Sequence, residues 1–245
     1  MSGKSMKAFN LFKLSGSSGE IMTNEFITSD LIQQIRDYQA QNRVLKEQSH
    51  HFVFDCPFDA NAIEKPKYIW IGLNPGDDTD DWAKTNNQNS EETRDFNFQE
   101  KYGRGSRSQK RMDKVKKFLG EEFFSFTTHT ELFFWGSKDT SKDFTSRYGT
   151  SFNDNPHMQF CCELNRQLID RIEPKAIFFE SISKIDLLRK HFPIQLQHQE
   201  RVGPRPVDTY LLNGKYKLIN FDHLSALGDA IKYRPEVSKL VRSFL

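Results

Sequence analysis

Two short apolar strands, far apart in the chain, each run directly into a turn of small and polar residues. The first strand, 67–72, leads into the sequence GLNPG at 72–76, and the second, 216–221, leads into HLSALG at 223–228. In open α/β sheets, turns at the carboxyl ends of parallel strands lie at one edge, where ligands bind. We therefore expect the two turns to converge on a single pocket.

The rest of the chain predicts an α/β fold with a mostly parallel central sheet. Further strands are predicted at 124–135 and 176–180, and helices at 30–47, 107–119, 157–172 and 182–191. Strands that alternate with helices favour a parallel sheet that is covered on both faces. Asn213-Gly214 predicts a hairpin turn before the strand 216–221. The segment 203–206 (GPRP) is expected to be irregular.

Length and composition favour one globular domain with a terminal arm. The chain has 245 residues, 13% of them aromatic, a net charge of +2 and three cysteines without a CxxC pair. Residues 1–24 are expected to be a flexible arm and 25–245 a single domain. The few cysteines predict neither a disulfide framework nor a metal site. No apolar run approaches the roughly 20 residues of a membrane span and no signal peptide is recognised, so a reducing, cytoplasmic setting is expected.

The stretch 77–108 is long and polar, and loops of that length are uncommon unless they are functional or disordered. Its acidic residues are Asp77, Asp78, Asp80, Asp81, Glu91, Glu92 and Asp95. Close to a nucleic acid these carboxylates would repel it unless they point away, mimic phosphate or bind a metal. The sequence does not decide among these alternatives.

A basic segment follows and overlaps the helix 107–119. Its cations are Lys101, Arg104, Arg107, Lys110, Arg111, Lys114, Lys116 and Lys117. Each phosphate that such a segment neutralises adds about one unit of salt dependence to binding, so it predicts contacts with a nucleic-acid backbone. The alternative is a solvated helix face, with Val115, Phe118 and Leu119 turned inward.

The two turns together resemble the active-site motifs of the uracil-DNA glycosylase superfamily. The first is most similar to the mismatch-specific uracil/thymine branch, whose motif also reads Gly, aliphatic, Asn, Pro, Gly. The likeness spans about 67–228 and includes the strand that ends at Thr130-Glu131-Leu132 and the strand 174–179. It implies a three-layer α/β/α sandwich with the base pocket at the carboxyl ends of the strands. It also implies a monofunctional glycosylase that flips a base and hydrolyses its N-glycosidic bond without a metal or organic cofactor.

The resemblance assigns roles to individual residues. Asn74 would position the water that attacks the sugar, although Asp77 or Asp78 is an alternative base, and His223 would donate a hydrogen bond to the departing base. The residues implied around the base are Gly72, Leu73, Pro75, Gly76, and either Glu131 or Thr130 at its pairing edge. The stacking aromatic is one of Trp82, Phe96, Phe98 and Tyr102. The predicted DNA contacts are Ser225 on a phosphate, Leu227 as a wedge, and Arg104, Arg107, Lys110 and Arg111.

Departures from the family bear on the substrate. Gly76 stands where the uracil-specific branch has a Tyr that excludes C5-substituted pyrimidines, and Leu224 replaces the usual Pro after the histidine. An ionised Glu131 only accepts hydrogen bonds, so it would suit the N4 amine of cytosine and repel O4 of uracil. A cytosine-like or C5-modified pyrimidine is therefore expected, in DNA repair or in defence against modified phage DNA.

The expected partner is DNA, duplex or single-stranded, with neither a membrane nor an obligate protein partner. Two other functions stay open on sequence: a non-catalytic nucleic-acid or nucleotide-binding protein on the same fold, and an α/β enzyme that acts on a small molecule. Structural roles are the alternative for single residues, with Glu131 paired to a neighbouring Lys, His223 as a structural histidine and Leu227 as a core leucine.

Overall fold

The computed structural model describes residues 28–48, 51–59, 65–76, 90–94, 107–224 and 229–245. The helices are α1 Ser29–Gln41, α2 Arg43–Gln48, α3 Arg107–Leu119, α4 Glu121–Phe124, α5 Lys142–Tyr148, α6 Met158–Ile172, α7 Ile185–His191 and α8 Asp229–Ser243. The strands are β1 His51–Val53, β2 Cys56–Pro57, β3 Tyr68–Gly72, β4 Ser90–Glu92, β5 Thr127–Glu131, β6 Ala176–Phe179, β7 Ile194–Val202, β8 Arg205–Leu212 and β9 Tyr216–Phe221. None of the described helices is both long and apolar enough to pass through a bilayer. The predicted arm, 1–24, lies outside the described residues.

Seven strands form the central sheet, in the order β2-β5-β3-β6-β9-β8-β7. The four inner strands β5, β3, β6 and β9 are parallel to one another. Antiparallel strands flank them, with β2 at one edge and the β8–β7 pair at the other. The predicted α/β class with a mostly parallel central sheet is thus confirmed.

Helices pack on both faces of the sheet because its inner strands are apolar on both sides. On β3, Ile69 and Ile71 face a core built with α1, α2, α5, α6 and α7. The alternate residues, Tyr68 and Trp70, face a second core built with α3, α4 and α8. The period of two along each strand sends successive side chains to opposite faces. This alternation decides which face each functional side chain of the site can reach.

Several predicted elements have different boundaries in the structure. The helix predicted at 30–47 is divided at Asn42, whose extended backbone (φ −107°, ψ 106°) separates α1 from α2. The strand predicted at 124–135 is shorter, because a helical turn, α4, precedes it and β5 ends at Glu131. The helix predicted at 182–191 begins with a 3₁₀ turn, Ile182–Lys184, before α7.

The hairpin of β7 and β8 is the largest element that the sequence did not predict. The expectation of irregular structure at 203–206 is wrong for Arg205 and Pro206, which begin β8 and pair with β7. Gly203 makes the turn with a positive φ of 58°. At the next turn, Asn213 and Gly214 have φ values of 53° and 67°, so the predicted hairpin turn is confirmed.

A buried carboxylate joins four separate segments beside the sheet. Asp55, which is fully buried, accepts hydrogen bonds from the hydroxyls of Thr28 (2.6 Å) and Thr128 (2.7 Å). It also forms a bidentate ion pair with Arg94, whose NH2 lies 2.9 Å from Oδ1. A buried charge is tolerated only when it is paired and hydrogen-bonded, and Asp55 meets both conditions. The network fixes the start of α1 and the segment after β4 against β5.

Two acidic residues of the polar stretch have structural partners. Glu91 forms a bidentate pair with Arg36 of α1, with oxygens 2.9 Å and 2.6 Å from Nε and NH2. Glu92 lies 3.3 Å from Nε2 of His51. These contacts hold β4 against the amino-terminal elements. The five acidic residues from Asp77 to Asp81 and at Asp95 lie outside the described residues.

Candidate functional site

The two turns singled out in the sequence lie at the same edge of the sheet. Strands β3 and β9 both run parallel to β6, which lies between them. Their carboxyl ends therefore point the same way, and two strand spacings, roughly 10 Å, separate them. Asn74 follows β3 and His223 follows β9 at this edge. The edge also receives Glu131 from the end of β5 and Glu180 directly after β6.

The side-chain amide of Asn74 is held in a defined orientation. Its Nδ2 donates to Oγ of Ser137 (2.8 Å), to the Ser137 carbonyl (3.3 Å) and to the carbonyl of Pro75 (3.1 Å). The Ser137 amide also donates to the Pro75 carbonyl at 3.1 Å. All three bonds that Asn74 makes to described residues use Nδ2. The amide is therefore oriented with Oδ1 as its remaining acceptor, which can accept a hydrogen bond from a water molecule.

Glu131 is a buried carboxylate that covers the end of β3. Its side chain is 8% exposed, and Oε1 lies 3.1 Å from Nε2 of His129. Its other oxygen, Oε2, is buried and has no hydrogen-bond partner in the part of the chain that the structure describes. A Cβ added to Gly72 would lie 2.7 Å from Cδ of Glu131 and closer still to Oε2. Glycine at position 72 is therefore what allows the carboxylate to lie over the strand end.

Thr130 and Glu131 point to opposite faces of the sheet, as neighbours on a strand do. The Thr130 hydroxyl donates to Oδ1 of Asn165 on α6 at 2.9 Å. Asn165 in turn donates to the carbonyl of Glu131 at 2.9 Å. Thr130 thus lies on the face of the sheet that packs against α6. Of the two residues predicted to contact the pairing edge of the base, only Glu131 faces α3.

The sequence interpretation missed Glu180, which is fully buried at the centre of the edge. Its Oε2 accepts hydrogen bonds from Nε1 of Trp70 at 3.1 Å and from NH2 of Arg111. Its Oε1 accepts one from the backbone amide of Leu224, and Nε2 of His223 lies 3.9 Å away. Glu180 therefore connects β3, α3 and the turn after β9. The signal that could have found it is a polar residue directly after a buried apolar strand, here β6, whereas Glu131 was named through the family resemblance.

Arg111 faces the interior of the site. Burial would lower its pKa, but the charges of Glu180 and Glu131 and the hydrogen bond to Glu180 raise the pKa instead. Burial likewise would raise the pKa of Glu180, yet Arg111, His223 and the hydrogen bonds from Arg111 and Leu224 hold this pKa below its usual value. Among the described residues, NH1 of Arg111 has no hydrogen-bond partner. The sequence predicted a DNA contact for Arg111, and the structure pairs its side chain, which is 28% exposed, with Glu180.

His223 lies at the mouth of the site with its side chain 43% exposed. The turn around it is held from several sides: Arg234 of α8 donates to the carbonyl of Leu224 at 2.7 Å, and Arg205 pairs with Asp222 at 3.0 Å. Together with Phe118 and Val237, these residues line a small pocket beside the imidazole. Two predicted DNA contacts in the same turn, Ser225 and Leu227, lie outside the described residues.

No protein-family model matches the sequence, and no curated protein matches it. A function must therefore be argued from the chemistry of this edge. Within the described ranges, no three His, Cys, Asp or Glu side chains come together as a metal ion would need.

The exposed face of α3 is basic and its inner face is apolar. Lys110, Lys114 and Lys117 recur at helical spacing and are exposed. The inner residues, Met112, Val115, Phe118 and Leu119, are buried, as predicted for the last three of them. Arg104 and the aromatic candidates, Phe96 among them, lie outside the described residues, as does the side chain of Arg107.

The remaining residues of the first turn have distinct environments. Leu73 is half-buried and packs against the core that contains α6. Pro75 is buried, whereas Gly76 is exposed and forms a β-bridge with Ser137. No described atom lies within 4 Å of a Cβ added to Gly76. The sequence predicted space beside Gly76, and no described residue fills it.

Gly72→Ala is expected to destabilise the protein by about 1–3 kcal/mol, because the new methyl group overlaps a carboxylate that is itself buried. Urea denaturation of the variant and the wild type measures this change. Gly76→Ala is the matched control, since open space surrounds that position, and its free energy of unfolding should stay within about 0.5 kcal/mol of the wild type. Equal stabilities for the two variants would contradict the close contact between Gly72 and Glu131.

Proposed function

We propose that this protein is a monofunctional DNA glycosylase with a uracil-DNA-glycosylase-like three-layer α/β/α fold. It flips a cytosine-like or C5-modified pyrimidine out of DNA and hydrolyses its N-glycosidic bond. The observation that carries the proposal is the arrangement of one sheet edge. There Asn74 follows β3 and His223 follows β9, with β6 between them, and Glu131 has a buried oxygen for which the described residues supply no donor. The resemblance of the two turns to the glycosylase motifs supports the same reading.

Asn74 has the role of orienting water. Its Nδ2 is bound to Ser137 and Pro75, which turns Oδ1 into a fixed acceptor. An amide is too weak a base to deprotonate water early, so the bond from C1′ to the base breaks first and leaves an oxocarbenium-like sugar. The bonding electron pair leaves with the base and the water oxygen bonds to C1′. The proton that this water then loses goes to solvent, and the departed base anion takes up a proton to become neutral. Stabilisation of the departing anionic base by His223 then supplies much of the rate.

Glu131 and Arg111 offer a donor–acceptor pair that distinguishes cytosine from uracil. Oε2 of Glu131 is an unpartnered acceptor, and NH1 of Arg111 is an unpartnered donor whose guanidinium senses the charge of Glu131. Cytosine presents an amine donor at N4 next to an acceptor at N3, whereas uracil presents the reverse. A buried polar atom without a partner costs about 1–3 kcal/mol, which an aminopyrimidine would recover and uracil would not.

The exposed lysines of α3 supply the contacts with the DNA backbone. Lys110, Lys114 and Lys117 form a stripe on the same helix that sends Arg111 inward to Glu180. Phosphate contacts fix the position of a protein on DNA, while contacts with a base specify the target. In this proposal α3 contributes to both, with lysines outside and a guanidinium inside.

A non-catalytic nucleic-acid-binding protein on the same fold is the second candidate. The hydrogen bonds from Asn74 to Ser137 favour it, because they give Asn74 a structural role that does not require catalysis. This candidate predicts salt-dependent DNA binding without loss of any base.

The test is an abasic-site assay across oligonucleotides that contain cytosine, C5-modified cytosine, uracil or mismatched thymine, in duplex and single strands and with EDTA present. We expect strand breaks after alkali from a cytosine-type base, with uracil about 10- to 100-fold slower. Glu131→Gln, whose amide can also donate a hydrogen bond, should reduce the ratio of the excision rates for cytosine-type bases and uracil. Release of uracil as fast as of any cytosine would contradict the role of Glu131. A complete absence of abasic sites together with tight binding would favour the second candidate.

A further inference from the structure

Glu180 divides its two carboxylate oxygens between the sheet and the histidine turn. Oε2 faces Trp70 and Arg111, and Oε1 faces the amide of Leu224 and the imidazole of His223. The side chain is fully buried. A carboxylate at this depth needs several donors to remain charged, and the described residues supply them from three elements.

We propose that Glu180 is a positioning residue that fixes the His223-Leu224 turn and selects the imidazole tautomer that carries a proton on Nε2. The proposal rests on the proposed function, in which His223 donates a hydrogen bond to the departing base. Glu180 itself touches neither the base nor the sugar. It acts through the backbone of Leu224 and through its charge.

The backbone of position 224 is bound on both sides. Its amide donates to Glu180, and its carbonyl accepts from Arg234. A proline at this position would have no N–H, so Oε1 of a fully buried carboxylate would lose its donor. Glu180 therefore requires a residue with an N–H at position 224. Leu224 supplies it where the family has a proline, and the resulting hydrogen bond holds the turn.

The distance to the imidazole suits selection of a tautomer rather than a permanent bond. Oε1 of Glu180 lies 3.9 Å from Nε2 of His223, beyond hydrogen-bond range. A negative charge at this distance favours a proton on the nearer nitrogen but does not engage that proton. Among the described residues, the other charged groups around the turn are Arg111, Arg205, Asp222 and Arg234. The charge of Glu180 therefore favours the tautomer that the proposed hydrogen bond to a departing base needs.

Four variants separate the two roles. Glu180→Gln keeps the shape and an acceptor for Leu224 but removes the charge, and Glu180→Ala removes both. Leu224→Pro removes the backbone donor together with the leucine side chain, and Leu224→Ala, which truncates the side chain but keeps the donor, is its control. Glu163→Gln is the control for a glutamate on the surface, since its side chain is 54% exposed.

Amide hydrogen exchange of Leu224 and ¹⁵N shifts of the His223 ring are measured first, in the free protein, followed by single-turnover excision and DNA affinity. We expect Leu224 exchange to accelerate in Glu180→Ala but not in Leu224→Ala or Glu163→Gln. Glu180→Gln should lose the preference for the Nε2 proton. Excision should fall about 10- to 100-fold in Glu180→Gln and Leu224→Pro, as for other groups that orient a histidine, with unchanged DNA affinity.

Two outcomes overturn different parts. The positioning role would be refuted, whatever the activity, by unchanged Leu224 exchange in Glu180→Ala together with an unchanged ring tautomer in Glu180→Gln. If the alanine variant does not fold, an unchanged tautomer in Glu180→Gln is the refuting result, because glutamine still offers Leu224 an acceptor. Altered exchange and tautomer in a wild-type protein that excises no base would instead refute the proposed function and leave the turn assignment intact.

Discussion

Asn74→Ala should lower the rate of base excision about 10²- to 10⁴-fold, in the range for loss of a group that directs the attacking nucleophile. The alanine cannot hold the water that Oδ1 orients. Because Asn74 faces the sugar rather than the phosphates in this mechanism, DNA affinity should not change. Single-turnover excision and fluorescence anisotropy with the same oligonucleotide measure the two quantities.

Ser137→Ala is the matched control for Asn74→Ala. It removes the acceptor that lies 2.8 Å from Nδ2 but leaves Asn74 and its bond to the Pro75 carbonyl in place. We expect a much smaller loss of rate than for Asn74→Ala. If Asn74→Ala keeps the wild-type rate, Asn74 does not hold the water, and Asp77→Asn and Asp78→Asn then test the other candidate bases.

Asp55→Ala should lower the free energy of unfolding by about 3–5 kcal/mol, a large share of the 5–15 kcal/mol that stabilises a typical domain. The substitution leaves the guanidinium of Arg94, whose side chain is 10% exposed, without its counter-charge. It also removes the acceptor of the Thr28 and Thr128 hydroxyls. Urea denaturation followed by circular dichroism measures the change.

Asp186→Ala is the control for Asp55→Ala because it also breaks an Asp–Arg pair, but at the surface. Asp186 is 85% exposed and its partner Arg189 is 46% exposed. Exposed pairs of this kind contribute about 0–1 kcal/mol, so the variant should be close to the wild type in stability. A loss below about 1 kcal/mol for Asp55→Ala would show that the buried network does not hold the four segments together.

The inner strands, and the strand ends that form the candidate site, were predictable because their sequence signals are local. Four or five largely apolar residues followed by polar ones identify the ends of β3 and β6, whereas the end of β5, whose residues are three threonines, a histidine and a glutamate, was located by the family resemblance. The carboxyl ends of parallel strands lie at one edge. The same reasoning applies to Glu180, which was overlooked because no family motif drew attention to it. The role of each polar residue within the site was not predictable, because it depends on partners that are distant in sequence.

Arg111 illustrates what the sequence alone cannot settle. In the sequence it is one of a run of cations on a basic helix, with nothing to distinguish it from Lys110 or Lys114. Its direction is decided by Glu180, 69 positions further along the chain, which offers a buried counter-charge. The hairpin partner β7 escaped prediction for another reason. Its apolar alternation ends at Leu196, and the residues that follow, up to Arg201, are polar and exposed, so the pattern is too short to indicate a strand of nine residues.

The helix α3 carries the exposed Lys110 and the inward Arg111 side by side. Both side chains leave one continuous hydrogen-bonded backbone, so the two faces of α3 cannot shift independently. If the lysines bind a polyanion as proposed, a displacement of α3 would also change the distance between Arg111 and Glu180, and through Glu180 the position of the Leu224 amide. Docking at the surface would then be coupled to the orientation of the His223 turn.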